Sequence, residues 1–189
     1  MRAKRLGAVA GLAAPFILVC LMTSTDAQNG GLRRLENIGV WSIVSEFNAV
    51  TLQENFWMGT KSINDPHAVL SIKCFTKDRF YAFGISSVDI KIPAVEKMVI
   101  YSRVENEKPI SLWAASSGTG NVIVLQSWND GSFNRFFQSI FQLKPTPKNI
   151  GISAGPSQWI FPLDGFTTAI ATLSYHCKFY PDPTMGVEH

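Results

Sequence analysis

Histidine and cysteine are both scarce in this sequence, with three of each among 189 residues. Histidine is the usual acid–base residue and a common metal ligand, but His67, His176 and His189 share no metal-ligand spacing. The sequence has no Gly-x-Ser-x-Gly elbow, and no third glycine follows Gly118 and Gly120 to build a nucleotide cradle. The carboxylates fall mostly at turns, where they can bond to nearby backbone amides. A glycosidase-type pair of carboxylates stays an open alternative, but no two residues stand out as its members. We therefore predict no catalytic, cofactor-binding or metal-binding residue and a protein that is not an enzyme.

Only one long apolar run is present, at residues 8–22, and it follows a basic start. Small residues at positions 25 and 27 match the two positions that signal peptidase reads, so residues 1–27 are predicted to be a secretory signal peptide. The alternative is a retained membrane anchor, although a run of about 15 residues is short for a span of roughly 20. Cys20 follows Val19, where a lipoprotein signal has a small residue. The protein is therefore predicted to be periplasmic or secreted and to meet a membrane only through the uncleaved signal segment.

Charge of one sign is also lacking. The chain has 17 basic and 14 acidic residues, of which the predicted signal holds three and one. The mature chain keeps 14 basic and 13 acidic residues, a net charge of +1. No basic stripe remains, so we predict no nucleic-acid partner.

Two cysteines remain after removal of the signal, Cys74 and Cys177. An exported chain meets an oxidising compartment, where two cysteines form a disulfide by default. Cys74 lies on the apolar side of the alternating segment Val69–Phe75, and Cys177 ends an apolar stripe at helical spacing, so both are predicted to face the core. The bridge would clamp a late helix to an early strand. The alternative is two separate buried thiols, since a metal site needs more ligands.

Short apolar segments recur along the chain, with turn residues every 8–12 positions. This pattern predicts a mainly β fold, an antiparallel β-sandwich or barrel-like sheet of about eight strands, in a single domain at residues 41–178. A loose N-terminal arm with one short helix is predicted at 28–40, and a flexible tail at 179–189. The strands are predicted at 41–47, 56–62, 69–75, 79–85, 98–104, 110–115, 122–126, 149–154 and 158–161.

Two segments follow the helical period and are predicted to cover an open end or face of the sheet. They span 132–143 and 165–177. The apolar positions on one face are Phe133, Phe136, Phe137, Ile140 and Phe141 in the first helix and Phe166, Ile170, Leu173 and Cys177 in the second.

Tryptophans sit in strands or at their ends. Trp57, Trp113 and Trp128 are candidates for contacting a partner, because large aromatic side chains often dominate binding surfaces. The alternative is that they belong to the ordinary core.

The order of motifs carries one further signal. The first motifs are Trp41 at the start of a strand, the strand that contains Cys74, a Val-Ile-Tyr-Ser-Arg strand at 99–103, and Trp113 after Pro109. The phenylalanine helix follows. Last comes Phe-Pro-Leu-Asp-Gly-Phe at 161–166, which leads into a helix that ends at Cys177. This order resembles the VasI/TagO-like family of small exported proteins, some of which are associated with type VI secretion systems. The resemblance implies an exported domain without catalytic residues.

The leading hypothesis is an exported, non-catalytic β-rich domain that binds an envelope or secretion-system protein, or another envelope component. Binding would use aromatic anchors or an exposed sheet edge. One alternative is a cell-wall hydrolase or hydrolase inhibitor, which would need a cleft with an unusual carboxylate. A second is a lipid or small-ligand carrier with a cavity between the sheet and the phenylalanine helix.

Overall fold

The computed structural model describes residues 31–77, 80–87, 94–116, 122–125, 132–141, 143 and 147–178, with only the backbone given for 122–125 and 132–134. The predicted signal peptide and tail lie outside these residues. The strands are β1 (Leu32–Ile38), β2 (Trp41–Asn48), β3 (Gln53–Lys61), β4 (Val69–Phe75), β5 (Phe80–Ser86), β6 (Val95–Val104), β7 (Ile110–Ser116), β8 (Val122–Leu125), β9 (Asn149–Ala154) and β10 (Ser157–Pro162), and the helices are α1 (Ser132–Phe141) and α2 (Phe166–Cys177).

All pairings between neighbouring strands are antiparallel, and the order is β1-β2-β3-β4-β5-β8-β7-β6-β9-β10. The first five strands form one half and β7-β6-β9-β10 the other, with the short β8 pairing to both β5 and β7. The order is open, with β1 and β10 at its ends. Two architectures were predicted, a sandwich and a barrel-like sheet. The structure is the sandwich, and helices cover it.

Alternation along the strands decides which side of each half is buried. In β4 the buried residues are Leu70, Ile72 and Cys74, and every second residue between them is half-buried. β5 follows the same pattern with Tyr81, Phe83 and Ile85 buried, directly opposite the buried residues of β4. Because successive side chains of a strand point to opposite faces, one side of each half is apolar. The apolar sides of the two halves form one core.

Helix α2 covers the inner side of the first half. Its predicted stripe is buried, and the Trp41 and Phe166 rings meet edge to face at 5.2 Å. The structure joins Cys74 to Cys177 in the predicted disulfide, with the two Cα atoms 6.3 Å apart. The bridge therefore fixes the last turn of α2 to the middle of the sheet.

A buried hydrogen-bond chain reinforces this attachment. The Tyr81 hydroxyl lies 3.1 Å from the Ser174 hydroxyl, which in turn donates to the carbonyl oxygen of Ile170 at 2.7 Å. Burying a hydroxyl without a hydrogen-bond partner lowers the stability of the fold. These two hydrogen bonds therefore let the Tyr81 and Ser174 hydroxyls lie inside the core.

Helix α1 packs on the second half and reaches the first. Phe136, Phe137 and Ile140 are buried, and the Phe83 and Phe136 rings lie 4.3 Å apart. Phe141 departs from the predicted buried stripe because it ends the helix and is 43% exposed, although its ring still contacts those of Phe137 and Phe166. The Phe133 side chain lies outside the described residues.

The short helix predicted in the arm is wrong, because β1 occupies that place. Leu32, Leu35 and Ile38 are half-buried at a spacing of three, which resembles a helical period. The register shifts between Arg34 and Glu36, so Leu35 is the extra residue of a β-bulge. With this bulge, rather than a helix turn, Leu35 and Ile38 both pack against the core.

The edge of β10 is covered by the loop between β3 and β4. The Asn64 side chain accepts from the Ile160 backbone N–H at 2.7 Å and donates to the Gln158 carbonyl at 3.0 Å, and the Ile63 N–H donates to the Ile160 carbonyl at 2.7 Å. Asp65 holds the loop in place by accepting from the Trp159 indole at 3.2 Å. This end of the sheet is therefore occupied by the protein's own chain.

The other end meets the start of α2 through two glycines. Gly39 has φ of 57° and Gly165 has φ of 76°, which favours glycine at both positions. A Cβ atom on Gly165 would lie 2.7 Å from the Ile38 carbonyl oxygen. The β1–β2 turn and the α2 entry can therefore approach this closely only without side chains.

Candidate functional site: the outer face of the second half

The outward-facing side of β7, β6, β9 and β10 is the candidate binding surface, and we call it the outer face. Its residues alternate with buried ones such as Ile100, Leu112 and Ile152. The outer face consists of Lys97, Val99, Tyr101 and Arg103 on β6, Ser111, Trp113 and Ala115 on β7, Asn149, Gly151 and Ser153 on β9, and Gln158 and Ile160 on β10.

Three large apolar side chains are exposed on this face. Tyr101 is 53% exposed, Trp113 39% and Ile160 42%. Trp113 pairs with Val99, and Ser111 pairs with Tyr101, so Trp113 and Tyr101 are diagonal neighbours on adjacent strands. Diagonal neighbours lie roughly 7–8 Å apart, within reach of one ligand.

A glycine leaves a gap beside these aromatics. Gly151 pairs with Arg103 on one side and with Ile160 on the other. The two flanking side chains are therefore two strand spacings apart, roughly 10 Å, with no side chain between them. We call this gap, formed by Tyr101, Arg103, Gly151, Ser153 and Ile160, the Gly151 notch.

Among the described residues, no contact requires glycine at this position. A Cβ atom on Gly151 would meet, within the described part of the chain, only the Arg103 carbonyl oxygen at 3.7 Å and the Trp159 carbonyl oxygen at 4.0 Å, both ordinary contacts, and the residue has no positive φ. Glycine inside a strand costs roughly 0.5–1 kcal/mol relative to alanine. A strand glycine often marks a bulge, a tight bend or a place where a ligand or another backbone approaches closely, and both ladders keep their register through Gly151.

Gly59 on the first half is a useful contrast. A Cβ atom there would lie 3.2 Å from the Leu70 carbonyl oxygen and 3.4 Å from the Trp57 ring. The Trp57 ring therefore covers Gly59 from within the protein, whereas the Gly151 notch is left open by the described residues. Trp57 is half-buried in this arrangement.

The two cations of the outer face differ in their surroundings. The Lys97 ammonium lies 4.2 Å from the centroid of the Trp113 ring, a cation–π distance. Arg103 is exposed and forms no ion pair with another described residue. On the opposite half, by contrast, Lys73 is paired with Glu46.

The residues that define the outer face include no carboxylate, and the exposed Glu96 stands beside Lys97 at the start of β6, where the register shifts. Glu105, in the turn after β6, accepts a hydrogen bond from the Lys148 backbone. The outer face therefore offers positive charge and aromatic surface together.

The tryptophans predicted to contact a partner do not gather at one place. Trp113 lies on the outer face, Trp57 lies on the outward side of the other half, and Trp128 lies outside the described residues. Tyr101, Arg103 and Gly151 were not predicted as site residues. Tyr101 and Arg103 are two residues apart in a strand, so alternation alone predicts that they share one side. The role of Gly151 could not be predicted in this way, because it depends on pairing with strands that are distant in sequence.

A second exposed apolar place is the β2–β3 turn. Val50 is 93% exposed and Leu52 is 76% exposed, with the Leu52 backbone at φ of 53°. The Asn48 side chain fixes the turn by accepting from the N–H groups of Val50 and Thr51 at 2.9 and 3.0 Å. This turn has neither aromatic side chains nor a notch, so it differs from the outer face in the features proposed to bind a partner.

Residues that could support chemistry are dispersed in the described part of the chain. His67 is exposed, and the His176 ring stacks on Phe56 with 5.2 Å between centroids. Asp65 holds loop residues, accepting from the His67 N–H at 2.9 Å and the Ser87 hydroxyl at 3.1 Å. The described residues contain no group of three side chains suited to hold a metal. Among the same residues, no helix has the length and apolar character to cross a membrane.

No protein-family model matches the chain, and no curated protein matches it. Among solved structures, the chain is similar to invasion associated protein B from Bartonella henselae, with 14% sequence identity and a TM-score of 0.49. The similarity covers 76% of this chain and 96% of that chain.

Proposed function

We propose that the protein is an exported, non-catalytic binding domain that uses its outer face to hold a protein or another component of the cell envelope. The periplasm is its proposed location, and a secretion system is one context that the VasI/TagO-like resemblance suggests. The observation that carries the proposal is the exposure of Tyr101 and Trp113 beside an unfilled glycine notch.

Aromatic residues and arginine are enriched among the residues that dominate binding energy. Tyr101, Trp113 and Arg103 supply both types within two adjacent strands. Because the ladder of β-sheet hydrogen bonds holds these strands, the side chains are presented on a rigid support, which lowers the entropy lost on binding.

The Cys74–Cys177 disulfide supports a compartment outside the reducing cytosol. Both cysteines are almost fully buried, with exposures of 0% and 3%. A bridge formed during folding would therefore be protected from later exchange, as suits a stable extracytoplasmic domain.

The test is retention of the purified oxidised protein on envelope fractions, namely inner membrane, outer membrane and cell-wall polymer, from the organism that produces it. The wild type is compared with Tyr101→Ala, Trp113→Ala and Gly151→Val, each chosen to change the outer face without touching the core. Val50→Asp is the matched control, because it changes an exposed apolar residue elsewhere. Thermal unfolding of every variant establishes that the fold is retained.

We expect at least one fraction to retain the wild type and Val50→Asp, and the three outer-face variants to lose about tenfold in retention. The proposal fails if no fraction retains the wild type. It also fails if Val50→Asp loses retention while the outer-face variants keep it, since the β2–β3 turn would then be the contact.

A further inference from the structure

We propose that the partner bound in the Gly151 notch is an acidic glycan, with one sugar ring over Gly151 and its carboxylate or phosphate on Arg103. This inference rests on the proposed function and adds the chemistry of the ligand. It follows from the width of the notch, the charge around it and the hydrogen-bonding groups that line it.

The width of the notch suits a single ring. Arg103 and Ile160 flank Gly151 at two strand spacings, roughly 10 Å between strands β6 and β10. The floor is backbone, because Gly151 has no side chain. Tyr101 pairs with Ser153 in the next row, so an aromatic side chain stands diagonally beside the floor. The apolar face of a sugar ring can pack on an aromatic ring while its hydroxyls point sideways.

The charge of the notch favours an anion. The Arg103 guanidinium is a planar donor that binds a carboxylate or a phosphate through two parallel hydrogen bonds. It has no ion-pair partner among the described residues. Lys97, held over Trp113, adds a second cation on the same face. A repeating acidic polymer could therefore meet both cations.

The polar groups favour a glycan over a peptide. An extended peptide binds a sheet most readily by pairing with a free edge. At β10 the loop residues Ile63 and Asn64 already occupy the edge next to Ile160. On the flat face the backbone groups are used in the ladder, so only side chains remain. Ser153 lies in the notch, and Ser111 and Gln158 lie beside it in the same cross-strand row. Their hydroxyl and amide groups are suited to sugar hydroxyls.

The test measures binding of the oxidised protein to four soluble probes by isothermal titration calorimetry. The probes are a hexamer of galacturonic acid, phosphorylated maltohexaose, neutral maltohexaose and hexaglutamate. We expect one or both acidic sugars to bind at least tenfold more tightly than the neutral sugar and than hexaglutamate. The stronger of the two acidic sugars then identifies carboxylate or phosphate as the preferred group.

The variants assign the binding to the notch. Arg103→Gln should weaken the acidic sugar about tenfold or more and leave the neutral sugar unchanged, because it removes the charged donor pair. Gly151→Val should weaken every sugar by filling the floor, with Gly151→Ala intermediate. Val50→Asp should bind as the wild type does.

Three results would overturn the inference. Equal binding of hexaglutamate would make the partner an acidic peptide, equal binding of neutral maltohexaose would remove the role of Arg103, and no binding of any sugar would exclude this glycan chemistry. The last result leaves the envelope-retention assay free to succeed, so the failure of the ligand class and the failure of the proposed function can be told apart.

Discussion

Reduction of the Cys74–Cys177 disulfide is the perturbation whose effect the structure defines best. The bridge joins residues 103 apart in sequence. In the chain-entropy model a loop of about 100 residues is worth about 4.7 kcal/mol at 25 °C, because the bridge restricts the unfolded chain. Native-state strain and residual unfolded structure lower this figure, so we expect the oxidised protein to be more stable than the reduced protein by about 2–5 kcal/mol.

Urea unfolding of the same protein, oxidised or reduced, is the measurement. The comparison keeps every side chain in place, so the packing of Cys74 and Cys177 cancels to a first approximation. The slope of unfolding free energy against urea should also rise on reduction, because the reduced unfolded chain exposes more surface. Amide exchange should quicken first around Ser174, in the last turn of α2.

The double variant Cys74→Ala/Cys177→Ala is the control, and its unfolding should not respond to reductant. A difference below about 1 kcal/mol between the oxidised and reduced wild type would refute the reasoning. It would mean that packing of α2, rather than the covalent link, holds this helix on the sheet.

Two further predictions concern the ends of the sheet. Gly165→Ala should destabilise the protein more than Gly155→Ala, by at least about 1 kcal/mol. Both glycines have positive φ. A Cβ atom added to Gly165 would lie 2.7 Å from the Ile38 carbonyl oxygen, whereas one added to Gly155 would have nothing within 4 Å. Urea unfolding measures both, and equal losses would contradict the close approach. Asn64→Ala should cost about 1–2 kcal/mol and increase light scattering on concentration, since it uncovers the β10 edge at Ile160. Asn64→Asp keeps the acceptor and should lose about half as much, whereas an Asn64→Ala protein as stable and monodisperse as the wild type would show that the edge needs no cover.

Patterns within one segment were sufficient to predict much of the fold. Alternation in Val69–Phe75 placed Cys74 on the inner side, and helical spacing did the same for Cys177. The pairing itself was predicted because these two cysteines remain after the predicted signal peptide in a chain expected to meet an oxidising compartment, and the structure shows the bridge. The segment around Leu35 misled for a physical reason. A bulge adds one residue to a strand, and the resulting spacing of three imitates a helix.

The candidate site could be predicted only in part. Tyr101 and Arg103 share a side of β6 by simple alternation, and Trp113 was selected as an aromatic anchor. The Gly151 notch could not be predicted from the sequence, because it depends on Gly151 pairing with both Arg103 and Ile160. Such cross-strand register is set by long-range pairing, which a single segment does not encode.

The position of α2 has a consequence for how the chain matures. This helix follows all ten described strands in sequence, yet it packs on Trp41 of β2 and is bonded to Cys74 of β4. A polypeptide delivered N-terminus first, from a ribosome or a translocation pore, therefore presents an uncovered sheet and an unpaired thiol for about a hundred residues of synthesis. Contacts this distant slow folding, and uncovered strands aggregate. The inner side of the first five strands therefore stays without its covering helix until the last element of the described fold has been made.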